Sequence, residues 1–437
     1  MSKKMLIVFA LALFPFLPGV TRPARASELT AKNQDSTVNI DGRLQMLAVL
    51  ESLDNHGWKD DQRLLLFLKQ ARLNLNGVYN NCDYSLQLMF GGEELPKANS
   101  VMSLLDAYVN VPFVEDLFEV KAGQFRVPYG RERLYDSGAM VNTERSIQNN
   151  FFNIGRDVGL AAHTKAGIFS GALGVFTGGG INVPQRYIPE DLGVPMLITR
   201  LGVNKDLDKD VFTPYQNSDE ASTGVKYAAY VNGAYTEDSR VGHSTPLNVK
   251  YFDKSLMLNA NWNPYIGAAN QKAIFSQVGV DAAVEIPLSE KTDLRLSAEA
   301  NIANFKNDAG SLEAIGGVIG ANLMMKNWEL GLRYAVVSPD SKFAYTRTDT
   351  ETGEKTLFPI TDKNISEITP SVVYYARKFG AKFIADLAIQ LDVPMGIEKD
   401  HGLYNLMLQP DSVSNIAKGG KELQDVYVAR LIAQYDF

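Results

Sequence analysis

The last residues of the chain, 426–437, read VYVARLIAQYDF. One parity of this stretch holds Tyr427, Ala429, Leu431, Ala433, Tyr435 and Phe437, and the other carries Arg430, Gln434 and Asp436. A period of two with one apolar and one polar face is the pattern of a β-strand between unlike solvents. Aromatic residues stand at both ends of the apolar face, where those solvents would meet.

The same alternation recurs upstream. Ala71, Leu73, Leu75, Gly77 and Tyr79 oppose Gln70, Arg72, Asn74 and Asn76. Leu294, Leu296, Ala298, Ala300 and Ile302 oppose Asp293, Arg295, Ser297, Glu299 and Asn301. Trp328, Leu330, Leu332, Tyr334 and Val336 oppose Glu329 and Arg333, and Phe383, Ala385, Leu387, Ile389 and Leu391 oppose Lys382, Asp386 and Gln390. Helical spacing is scarce, so the chain reads as all-β.

The connections sort into two kinds. Short ones rich in turn residues occur at YNNC, VPFVED, KAGIFSG, PLSEKTD, MKNW and RKFGAK. Longer polar stretches lie near 51–61, 92–101, 128–155, 178–193, 236–273, 338–365 and 392–423. The two kinds alternate once 205–221 is placed with the short turns and 306–310 with the long loops. This predicts a transmembrane antiparallel β-barrel of about sixteen strands, at roughly 26 residues per strand with its loop, with long extracellular loops and short periplasmic turns. Two further strand-like pieces, PLNVKYFDKSLMLNANW and LYNLMLQP, make eighteen strands the alternative. A soluble all-β protein would also alternate, but charges of both signs in mid-strand and aromatics at strand ends fit a membrane barrel better.

The other end of the chain agrees. Lys3 and Lys4, the apolar run MLIVFALALFPFLPGV and the small-residue site Ala24–Ala26 have the layout of a cleavable signal peptide. Cleavage after Ala26 is expected, leaving one barrel domain over about 35–437. Loss of Lys3, Lys4, Arg22 and Arg25 takes the net charge from −7 to −11, which disfavours nucleic acid as a partner. No later stretch is long and apolar enough to cross a membrane as a helix. Cys82 is the only cysteine, and the four histidines have no metal-ligand spacing, so neither a disulfide, a cofactor nor a metal site is expected. His163 and Ser170 have nothing that marks them as a catalytic pair, and the glycine-rich Thr177–Asn182 follows no strand-to-helix transition. The reading is therefore not an enzyme.

One region is more specific. It comprises Asp106, Ala107 and Tyr108, the run KAGQFRVPYGRE (Lys121–Glu132), Glu144 and Arg145, and Gly155, Arg156, Asp157 and Gly159. With Asp41–Gln45 (DGRLQ) and Gln70–Gly77 (QARLNLNG), it resembles the phosphate-selective porin O and P family of Gram-negative outer-membrane channels. The terminal Phe437 is similar to the signal that the barrel-assembly machinery reads in outer-membrane proteins.

The resemblance implies a sixteen-stranded homotrimer in the outer membrane. It implies passive diffusion of small hydrophilic solutes, with anions such as phosphate as the family cargo. It also implies a third long loop, here 128–155, folded inward as a constriction. The pore candidates are Arg126, Arg131, Arg133, Arg145 and Arg156, with Lys121, Arg72, Arg295 and Arg333 on the walls. Two readings of these arginines stay open: weak anion contacts, or ion pairs with nearby carboxylates that pin the loop. The lumenal parity also displays Asp106, Asp281, Glu285, Glu299, Glu329, Asp386 and Asp436, which leaves phosphate selectivity open. A general porin without anion preference and a plugged structural or adhesive barrel are the alternatives.

Overall fold

The computed structural model describes residues 29–33, 36–53, 62–90, 102–114, 117–178, 194–214, 224–238, 273–307, 310–339, 344–348, 355–359, 364–394 and 423–437. The signal-peptide segment and both extra strand-like pieces lie outside these residues.

In chain order the strands begin with β1 (Leu29–Asn33), β2 (Ser36–Leu53), β3 (Gln62–Tyr79), β4 (Cys82–Phe90), β5 (Ser103–Val114) and β6 (Phe118–Arg126). Next come β7 (Arg156–Ala166), β8 (Phe169–Phe176), β9 (Met196–Lys205), β10 (Lys226–Asp238), β11 (Ala273–Ser289) and β12 (Thr292–Asn307). The last are β13 (Gly310–Met325), β14 (Trp328–Pro339), β15 (Ala344–Thr348), β16 (Lys355–Pro359), β17 (Ile365–Phe379), β18 (Ala381–Pro394) and β19 (Leu423–Asp436). Strands β2 to β14 pair antiparallel in sequence, β14 passes to β17, and β19 returns to β2. These are sixteen staves in a closed ring, so the sheet has no free edge. Short β1 pairs with Ser36–Ile40 of β2, just beyond the stretch where β19 pairs. Strands β15 and β16 form a separate hairpin within the connection from β14 to β17.

Ring closure uses the chain's own end. The backbone N–H of Gly42 donates to the Phe437 carbonyl at 2.7 Å, and that of Phe437 donates back to Gly42 at 3.0 Å. Turns centred on Asn80–Asn81, Gly167, Lys326–Asn327 and Gly380 mark one rim, and the segment 206–225 emerges there too. Exposed Tyr79, Phe113, Phe118, Phe169, Tyr227, Trp328 and Phe437 ring that rim, as an aromatic girdle at a membrane interface does.

The two parities separate as the sequence predicts. Leu296, Ile302, Leu330, Leu332 and Leu387 are exposed on the outer face, and Arg72, Arg295, Glu299, Arg333, Lys382, Asp386 and Arg430 are buried on the inner. The inner face is more apolar than its charges suggest. Phe125, Ala161, Ala172, Phe176, Met196 and Ile198 line β6 to β9, and Ile384 and Val428 alternate with the charges of β18 and β19. The reason is local: chain segments fold into the lumen and pack there, so part of the inner wall becomes a core.

Candidate functional site

The principal inward segment is 127–155, between β6 and β7. Its base is closed by Val127 N–H donating to the Gly155 carbonyl at 3.1 Å. Gly130, at φ 68°, turns the chain where an added Cβ would meet the Glu299 carboxylate at 2.9 Å. A single helical turn, Arg131–Leu134, follows, and a second short helix, Ile147–Phe152, is capped by Ser146. Glu132 ties the two together, accepting from the Ser146 N–H at 2.6 Å and from its hydroxyl at 2.5 Å.

The loop crosses the whole lumen. Tyr129 donates its hydroxyl to Asn301 of β12 at 2.7 Å. The Thr143 N–H and hydroxyl donate to Asp386 of β18 at 2.7 and 2.8 Å. Lys382 donates to the Met140 carbonyl at 2.9 Å, and Lys69 of β3 pairs with Glu144.

The charges on the two sides of this crossing are opposite. Toward β2–β7, two like-charged pairs stand directly across from each other in the sheet register: Arg43 beside Arg72, and Arg126 beside Arg156. Such neighbours repel. The loop delivers Asp136 between them, paired with Arg43 and lying 3.7 Å from Arg72 and 3.3 Å from Arg126. The Gly138 N–H also donates to Asp136, at 2.8 Å. Burial works against that carboxylate's charge, but Arg43, Arg126 and Arg72 outweigh it and hold Asp136 well below the usual carboxylate range. Arg156 pairs with Asp106 at 3.0 Å, and Arg43 with Asp436 at 2.6 Å. Arg145 donates to the Glu132 and Tyr135 carbonyls at 3.2 and 2.8 Å and adds its charge beside Arg126.

Toward β9–β12 the wall is acidic. Asp281 and Glu299 are register partners; the loop answers the first with Arg131 and the second with the Glu132 N–H, which donates to it at 2.9 Å. The Arg131 guanidinium holds Asp208 through two bonds of 2.8 and 2.7 Å and reaches Asp281 at 3.2 Å. Arg200 also serves Asp281, at 3.0 Å, and stacks over the Tyr230 ring at 3.9 Å. Burial penalises the Arg131 cation, yet Asp208 and Asp281 hold its pKa well above the ordinary value.

The predicted residues thus fall into two groups. Arg131, Arg156, Arg295 and Arg333 are buried: Arg295 pairs with Glu285 at 3.1 Å, and Arg333 with Glu367 at 2.8 Å and Glu132 at 3.2 Å. Arg72 is also buried but stands on the arginine side. Lys121 is boxed by aromatic rings, 3.9 Å from the centroid of Phe212 and 4.5 Å from that of Tyr108. Arg126 and Arg145 are half-buried where the loop meets β6, and Arg133 is half-buried with its guanidinium toward Gly155. The pinning carboxylates come largely from distant wall and turn residues rather than from loop neighbours. Arg43 of β2 and Arg200 of β9 were not among the candidates, although both face inward. Asp136 is one of the nearby carboxylates that the pinning reading offered to the arginines, but that its partners are Arg43, Arg72 and Arg126 depends on where the loop lands.

The sequence pattern of the phosphate-selective porin O and P family matches residues 38–286, more than half of the chain. No curated protein matches. Among solved structures the chain is similar to OmpT, an outer membrane protein of Vibrio cholerae in trimer form, with TM-score 0.50 and 11% identity over 92% of this chain and 100% of that one. It is similar to the outer membrane channel DcaP of Acinetobacter baumannii, with TM-score 0.50 and 12% identity over 94% and 100%. It is also similar to OprB of Pseudomonas putida, with TM-score 0.51 and 11% identity over 91% and 94%. Likeness at these identities shows the shared barrel, and the family match gives its kind: the chain belongs to the phosphate-selective porin O and P family, and its barrel is an outer-membrane channel.

Proposed function

We propose that this channel passes small hydrophilic solutes by diffusion with a weak preference for anions. The observation that supports the preference is the pair of like-charged arginine couples, Arg43 with Arg72 and Arg126 with Arg156, facing the lumen beside Arg145. The described ion pairs set Asp106, Asp136 and Asp436 against these five guanidinium groups. In a narrow pore between low-dielectric walls, such a local surplus attracts anions and outweighs the acidity of the chain as a whole. Inorganic phosphate is the cargo that the family name suggests. Arg126 and Arg145, both only partly buried, are the best-placed contacts. Assembly as a homotrimer belongs to the same proposal, supported by the trimer form of the V. cholerae OmpT structure. So do export by a signal peptide cleaved after Ala26 and recognition of Phe437 by the assembly machinery.

The test is the reversal potential across a potassium chloride gradient, for the wild type and for Arg126→Ala with Arg145→Ala. A modest anion preference that falls in the double variant is expected. A cation-selective wild type, unmoved by the change, would replace this reading with a general porin. A purified barrel that carries no current would favour the plugged, structural alternative.

A further inference from the structure

A second segment enters the lumen, from the opposite rim. Residues 206–225 join β9 to β10 at the short-turn end, where the neighbouring described turns need only a few residues. The first part of this connection folds inward: Leu207, Asp208, Val211 and Phe212 are all buried. It is a compact knot with its own bonds. The Asn204 side chain accepts from the Leu207 and Asp208 N–H groups at 3.1 and 3.0 Å and donates to the Asp208 carbonyl at 2.8 Å. The Asp210 carboxylate accepts from Phe212 N–H at 2.7 Å, and Lys209 N–H donates to the Thr213 carbonyl at 3.1 Å.

Two anchors dock the knot. Phe212 covers the Lys121 ammonium and packs edge-on against Phe125 and His163, with ring centroids 5.7 and 4.9 Å apart. Asp208 takes both terminal nitrogens of Arg131, so the knot holds the first helical turn of the inward loop from beneath. From that helix the connection runs on: Leu134 accepts from Arg126 at 2.9 Å, and Tyr135 accepts from Arg145 at 2.8 Å.

We infer that residues 206–214 form an inner collar, with Asp208 and Phe212 as positioning residues that set the constriction through Arg131. Asp281 cannot replace Asp208 in this role, because Arg200 and Asn232 already use its oxygens. Without the Asp208 charge, Arg131 loses its two-pronged partner inside the barrel, and the helical turn that places Arg126 and Arg145 loses its support. The collar rests on the channel reading but not on its anion preference.

Single-channel recording in planar bilayers tests it, using the wild type, Asp208→Asn, Asp208→Glu and Phe212→Leu, each checked for barrel closure by heat-dependent gel mobility. Asp208→Asn should change conductance by about twofold and raise open-channel noise, the response of a hydrated pore whose lining has come loose. Asp208→Glu should restore quiet currents, which a merely structural loss would not. Phe212→Leu keeps the apolar fill and should give a smaller change of the same kind; it serves as the probe if Asp208→Asn does not assemble. A wild type without conductance would refute the channel itself. A conducting wild type matched in conductance and noise by Asp208→Asn, or by Phe212→Leu where that is the only closed variant, would refute the collar alone.

Discussion

Leu332 offers the sharpest test of which solvent surrounds the barrel. It lies four residues along β14 from Trp328, in register with Ala321 and Pro370, and is 54% exposed on the outer face. At about 3.4 Å per residue and a tilt of about 40°, Leu332 stands roughly 10 Å above the Trp328 girdle, near the middle of an apolar band about 25 Å tall. Snorkelling carries a lysine ammonium only part of the way to an interface from that depth. Leu332→Lys should therefore cost roughly 2–4 kcal/mol, the range for a basic residue at the bilayer midplane. That is a factor of about 30 to 700 in the folding equilibrium. The control is Ser297→Lys on the inner face of β12, beside a cavity of about 100 Å³ lined by Glu132 and Glu299 and also by Arg131, Arg295 and Arg333. There the ammonium meets a polar lining of both signs and not lipid, so the cost should be much smaller than at Leu332. Equilibrium urea unfolding in lipid vesicles, followed by tryptophan fluorescence, measures both. Equal costs at the two positions would refute the assignment of outer and inner faces.

Two further outcomes are expected. Deleting Phe437 removes the reciprocal backbone bonds to Gly42 at the closing seam, and it should reduce outer-membrane yield while export stays normal; a truncated chain that assembles in full would contradict this. Asp136 is held below the usual range against its burial by Arg43, Arg126 and Arg72, so its contribution is present above the unfolded value near 3.9 and is lost only as pH falls through its lower folded value. The difference in conductance between the wild type and Asp136→Asn should accordingly stay level from neutral pH to about 4 and shrink below it; a difference that disappears between pH 4 and 5 would count against the three-arginine site.

What the sequence revealed and what it hid divide along the range of the interactions. Strand identity and the inner and outer faces follow from a period of two, a local property, and so the faces of β12, β14 and β18 could be read directly. The count of sixteen followed from the alternation of long and short connections, including the doubtful segment after Lys205 that does lie at the short-turn rim. Its inward fold was not legible, because contacts such as Asp208 with Arg131 join residues whose meeting depends on barrel curvature. Length was the available signal, since a periplasmic turn rarely needs so many residues. The same limit applied to the arginines. Arg131 and Arg145 look alike in sequence, yet one is enclosed by Asp208 and Asp281 while the other reaches only carbonyl oxygens among its described contacts.

The acidity of the chain and the anion preference proposed for its pore are not in contradiction once the charges are placed. Wall carboxylates such as Asp386 and Glu285 are neutralised by partners in the adjoining strands, Arg430 at 2.7 Å and Arg295 at 3.1 Å. Buried pairs of this kind contribute little field at the pore axis, whatever they add to the formal count. The crossing loop applies the same rule on both sides, carrying Arg131 to the acidic wall and Asp136 to the basic one. At the first, Arg131 and Arg200 meet Asp208 and Asp281 two for two, and Glu299 is held by the Glu132 N–H and the Asn301 amide. The match is incomplete at the second, where one loop carboxylate is shared among Arg43, Arg72 and Arg126. Like charges directly opposite in a sheet destabilise by roughly 0.2–1 kcal/mol a pair. A closed barrel tolerates two such pairs, because its stability comes from sixteen continuous staves and not from any one contact. On the proposed reading, the residual positive charge sits where the loop meets strands β2 to β7, at Arg43, Arg72 and Arg126 around Asp136.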